Sequence, residues 1–113
     1  MEKLFEKLKG YLHMDTEIPY EEFSAYYHDL ITELNQSFND LDKEMRIKAL
    51  YICSIVQANA DSRAKQSKAN AKAFKKMSSK CAFWSDAINF HLRKDGMTPE
   101  EIDRATEEIN DSI

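Results

Sequence analysis

Three histidines, two cysteines and a lysine-rich run are the side chains through which this chain could do chemistry. His13, His28 and His91 stand far apart, and no Glu-x-x-His or His-x-x-x-His pair occurs. Those are the spacings at which one helix face offers two ligands to a metal ion. The sequence therefore implies no metal site and no cofactor. Nucleophilic catalysis needs a Ser or Cys placed against a base. Cys81 instead shares a helical stripe with Phe74, Trp84 and Ile88, an apolar setting that raises a thiol pKa and leaves it inert. Cys53 lies within the apolar run MRIKALYICSIV. Gly10 and Gly96 are isolated, so no glycine-rich loop can cradle a phosphate. The acidic pairs Glu21/Glu22, Glu100/Glu101 and Glu107/Glu108 fall at helix ends or on helix surfaces. No constellation supports an enzyme, and no catalytic residue is assigned.

The basic run holds more promise. From Ser62 to Ser85 there are seven basic residues and no acidic ones, which leaves nine basic against twenty acidic residues elsewhere. The net charge of −4 thus hides one basic segment in an acidic remainder. Taken as one helix, Lys65, Lys68, Lys72, Lys75, Lys76 and Lys80 fall within an arc of about 140°. Ala60, Ala64, Ala71 and Phe74 would line the other side. Such a ridge, spanning residues 63–80 with Arg63, could follow nucleic-acid phosphates. It could equally be a solvated face that balances acidic helices. Arg63 is its single arginine and no aromatic residues interleave, both of which disfavour base readout and stacking. Past residue 82 the same arc brings up Phe83, Ala87 and Phe90, so this region is apolar on two faces. One face packs internally. The other needs the terminal helices or another chain, and a homodimer is one expectation.

The elements that must position these residues are helical. Two Gly and two Pro in 113 residues are too few to punctuate a many-stranded sheet. Residues 2–12 read as a short amphipathic helix that packs on the bundle, its polar side mixing Glu with Lys rather than being basic. Pro19 suits a first helical turn, and the stripe Tyr20, Phe23, Tyr27, Leu30, Ile31, Leu34, Phe38 follows it. Asp40 or Asp42 caps a third helix that is apolar nearly all round, the mark of a central one. Residues 44–94 read as one helix of about 50 residues or as two. The preferred reading breaks at 59–62, with Asp61 or Ser62 as the new cap. Phe74, Met77, Cys81, Trp84, Ile88 and Leu92 form the stripe beyond, with Trp84 buried at its centre. Gly96 ends it, and Thr98-Pro99-Glu100-Glu101 is a capping-box pattern opening a thinly apolar last helix.

The expected fold is all-α: an antiparallel bundle of about four main helices plus a short N-terminal amphipathic helix, as one domain over residues 1–113. No run of about 18 apolar residues suggests a membrane span, and MEKLFEKLKGYL lacks the apolar core of a signal peptide. Unpaired cysteines then suit a cytoplasmic protein with reduced thiols. The functional expectation is a small regulatory protein that binds a protein partner, itself included, through a helix surface. Nucleic-acid binding through the lysine ridge is the alternative. The candidate surface comprises Lys65, Lys68, Lys72, Lys75, Lys76, Lys80, Phe83 and Phe90.

Overall fold

The computed structural model describes residues 1–113, and every regular element in it is helical. Helix α1 spans Glu2–Leu12, α2 Tyr20–Ser37, α3 Lys43–Gln66, α4 Ala71–Lys94 and α5 Pro99–Ser112. A 3₁₀ turn, Phe38–Asp40, extends α2. The boundaries follow from local chemistry. Extended Pro19 precedes α2, and Glu21 and Glu22 sit in its first turn, where the helix dipole favours negative charge. The Asp42 carboxylate accepts the Met45 N–H at 2.8 Å and so caps α3. Helix α4 ends on Gly96, whose φ of +107° only glycine adopts readily. The Met97 and Gly96 N–H groups return to the carbonyls of Leu92 and Arg93, closing off the helix end.

The capping box of α5 is complete. Thr98 Oγ1 accepts the Glu101 N–H at 3.2 Å, and the Glu101 carboxylate accepts the Thr98 N–H at 2.9 Å. Those bonds hold the Glu101 carboxyl below its ordinary pKa. Thr98→Ala is expected to cost about 1 kcal/mol. Amide exchange should rise only in residues 99–102, and unchanged exchange there would mean that the cap does not hold the helix end.

Residues 44–94 form two helices, but the break lies at residues 67–70 rather than 59–62. Asp61 caps nothing. Its carboxylate accepts the hydroxyl of buried Ser78 and joins α3 to α4. Ala60 is fully buried and Arg63 nearly so, so α3 keeps core contacts one turn past the expected break. After Ala64 nothing apolar points inward until Phe74. Extended Ser67 reverses the chain there, its hydroxyl accepting the Asn70 N–H.

Helix α3 is the central element, packed on α1, α4 and α5. It runs antiparallel to α4 from the Arg46–Asp95 ion pair at one end to Asp61–Ser78 at the other. Leu30 and Leu34 of α2, Ile52 and Cys53 of α3, Cys81 and Ile88 of α4 and Ile102 of α5 share one core cluster. Removing such side chains from water stabilises the fold by about 1.5–3 kcal/mol each. Tyr26, absent from the expected α2 stripe, is buried because its hydroxyl donates to the Leu4 carbonyl at 2.7 Å and docks α1. Phe5 and Leu8 hold α1 down from the other side. No helix is long and apolar enough to cross a membrane.

Candidate interaction surface

Position along α4 decides which side chains leave the core. Phe74, Met77, Cys81, Ile88 and Leu92 are buried. Residues half a turn away, Lys72, Lys76, Phe83 and Phe90, therefore face outward. Phe83 is 58% and Phe90 64% exposed. Lys72, Lys75, Lys76, Ser79, Lys80 and Phe83 line one shallow hollow. The Lys80 ammonium lies 5.2 Å from the Phe83 ring centroid, and the Phe83 edge meets Trp84 at 5.7 Å. Two turns on, Arg93 and Lys94 flank Phe90, with Asp86 as the acidic neighbour. The outward face is thus an aromatic pair, seven residues apart, bordered by cations at both ends.

The continuous six-lysine ridge does not exist. Lys65 lies in the last turn of α3 and Lys68 in the connection, because the chain reverses between them and Lys72. Arg63 leaves the basic set altogether. It is 9% exposed, donates from Nη1 to the Ile18 carbonyl at 2.9 Å and stacks 4.5 Å from the Phe23 centroid. Lys72, Lys75, Lys76 and Lys80 remain together with Phe83, and Phe90 stands on the same side. None of these lysines pairs with a carboxylate. The ion pairs are Met1–Glu33, Lys9–Glu6, Arg46–Asp95, Lys48–Glu2 and Lys48–Glu44. The acidic remainder of the chain does not neutralise this face by contact.

Trp84 is half-buried rather than central. Its ring leans on Phe38 at 5.7 Å, and its indole N–H is enclosed without an acceptor. The candidate chemical groups are dispersed. His13 caps the end of α1, and His28 Nδ1 lies 2.9 Å from the Ser24 carbonyl. His91 packs edge-on against Phe38 and Phe90. No three His, Cys, Asp or Glu side chains converge as metal ligands would. Burial pushes the Cys81 thiol up to about 12, and burial together with neighbouring Cys81 pushes Cys53 up as well.

A second feature escaped the sequence reading. A cavity of about 270 Å³ lies where α1, the connection of residues 13–19, α2 and α3 meet. Tyr11, Phe23, Tyr26 and Val56 form apolar walls, and Leu12 and Met14 stand exposed at 41% and 49%. Burial and the Glu22 carboxylate push the Tyr11 hydroxyl up to about 12. Arg63 builds the wall by holding Ile18 against α3. The only sequence signal was Met14 and Ile18, apolar residues in an otherwise polar connection.

The fold and this surface define an all-α helical bundle whose fourth helix carries a cationic, aromatic outer face. Comparison with known protein families, curated proteins and solved structures finds no match to the chain.

Proposed function

We propose that this is a small non-catalytic protein that binds an acidic protein partner through the outward face of α4. The supporting observation is that Phe83 and Phe90 lie exposed on one helix face whose lysines have no carboxylate partners. Exposed aromatic residues ringed by charge are the usual anchors of a protein contact, since they bury large area with little loss of side-chain freedom. The cations select a carboxylate-rich partner and speed its approach. Two cysteines kept as free thiols suit a reducing compartment, and the cytoplasm is the proposed setting.

The unpaired lysines also support a second reading, nucleic-acid binding. Changing Lys72, Lys75, Lys76 and Lys80 together to Gln separates the two. The melting temperature should scarcely move, because no ion pair is lost. A photo-crosslinking side chain at position 83 should capture an acidic protein in the native host. The fourfold Gln change should abolish that capture. Retention on duplex DNA should be weak at about 0.15 M salt, where the Debye length is about 8 Å. DNA binding with a steep salt slope, flattened by about 0.9 per lost phosphate contact, would instead establish the second reading.

A further inference from the structure

Leu12, Met14, Phe83 and Phe90 are the large apolar side chains left exposed, and they fall in two places with opposite charge around them. Phe83 and Phe90 sit among the cations of α4. Leu12 and Met14 sit at the cavity between α1, α2 and α3, where the carboxylates of Asp15 and Glu17 join the lining. The one basic group in that lining, Arg63, is tied to the Ile18 carbonyl and the Phe23 ring. One patch is a pair of convex aromatic knobs in a positive field. The other is an apolar hollow in a negative field.

We propose that the two patches bind each other between copies: Phe83 of one chain seats in the Leu12/Met14 cavity of a second. Lys76 and Lys80 then face Asp15 and Glu17. This rests on the reading of α4 as a protein-binding face and names a second copy of the chain as the occupant. The dimensions allow it. A cavity of about 150 Å³ already holds a benzene ring, and this one measures about 270 Å³.

Other self-contacts fit less well. Two α4 faces crossing antiparallel would set Lys76 and Lys80 of one copy near Arg93 and Lys94 of the other, like against like. The acidic side of α5, with Glu100, Asp103, Glu107 and Asp111, offers no large apolar residue to cover a phenylalanine. Other hollows that join carboxylates to apolar residues, at Glu44/Glu108 and at Asp29/Glu33, are thinly apolar and include Lys48 or Lys3, whereas this cavity sets extensive apolar walls beside Asp15 and Glu17. Because each copy uses two different patches, the contact is head to tail, and copies add until a ring closes or continue as a filament.

The test is sedimentation of the full chain from about 10 μM to about 1 mM, a range that reports dissociation constants of about 10 μM to about 1 mM. The wild type should grow in mass with concentration. Phe83→Ser, the pair Lys76→Glu/Lys80→Glu and the pair Asp15→Lys/Glu17→Lys should each weaken assembly by about tenfold or more. These positions are exposed, so circular dichroism should show unchanged helix content in every variant. The decisive sample mixes the two charge-reversed pairs, in which each acidic α4 now meets a basic cavity. Assembly should return in the mixture and not in either variant alone. A wild type that stays monomeric at about 1 mM overturns the proposal, as does assembly indifferent to Asp15 and Glu17, or a mixture that fails to assemble. A monomeric wild type that still crosslinks an acidic host protein at position 83 overturns the second-copy assignment alone. The proposed function then stands without it.

Discussion

Ile88→Ala is expected to lower the unfolding free energy by about 2–5 kcal/mol, whereas Phe90→Ala, two residues on, changes it by about 0.5 kcal/mol at most. Ile88 is fully buried on the inward side of α4, and Phe90 is mostly exposed on the opposite side. Removing the Ile88 side chain forfeits its transfer energy and leaves a hole that a close-packed interior closes only partly. Native stability is usually about 5–15 kcal/mol, so the loss is a large share of the total. For a chain of this size it should lower the melting temperature by roughly 10 °C or more. Urea titration checks both variants, and an unchanged denaturant slope would show that the unfolded state is the same in each. Equal losses would mean that α4 is rotated about its axis. The outward face, and the interaction surface built on it, would then be wrong.

The buried face of α4 was legible, Trp84 and the helix start apart, because its large residues recur at steps of three and four from Phe74 to Leu92, a period that only a helix buries on one side. The α5 cap was legible for a similar reason: Thr98, Pro99 and Glu101 each satisfy a local backbone need, whatever lies beyond them. The turn between α3 and α4 was not legible. Residues 59–62 offer Asn59, Asp61 and Ser62 and residues 66–70 offer Ser67 and Asn70, breakers in both cases among good helix formers. Tertiary packing chose between them, since Ala60 and Arg63 must stay on α3 to meet the core and the Ile18 carbonyl. Burial of Tyr26 was hidden likewise, because its partner is a backbone carbonyl twenty-two residues away on α1.

The candidate surface was half legible. Lys72, Lys75, Lys76, Lys80 and Phe83 do gather, because they share one helix and helical spacing is local information. Lys65 and Lys68 were grouped with them only by assuming that the helix was continuous. Arg63 shows the limit of charge counting. Its guanidinium is held by a carbonyl and an aromatic face, neither of which registers in a tally of charges. The cavity beside it depends on where residues 13–19 cross α3, a long-range placement without a periodic signature.

Raising the pH from 7 to 10 is expected to remove about 4 kcal/mol of stability through Cys53 and Cys81. Both thiols are fully buried in the core. Burial pushes Cys81 up to about 12, and Cys53 is raised by burial with Cys81 beside it. An unfolded chain releases thiol protons near the ordinary value of about 8.5. Above that pH the unfolded state therefore binds fewer protons than the folded state, and stability falls as pH rises. It is fully present below about pH 8.5 and is lost at up to about 1.4 kcal/mol per pH unit for each thiol until the folded groups ionise. Buried Tyr26 and Tyr51 and partly buried Tyr11 and Tyr27 are raised too and act in the same direction, but unfolded tyrosine titrates near 10 and is only about a tenth ionised at about pH 9, so the interval from about 8 to 9 isolates the cysteines. Urea unfolding at a series of pH values measures the slope. Cys53→Ala and Cys81→Ala should each remove about half of it, whatever each costs at neutral pH through the smaller side chain. A wild-type stability that is flat to pH 10, or a slope indifferent to both substitutions, would show that the thiols ionise in the folded protein as readily as in the unfolded chain.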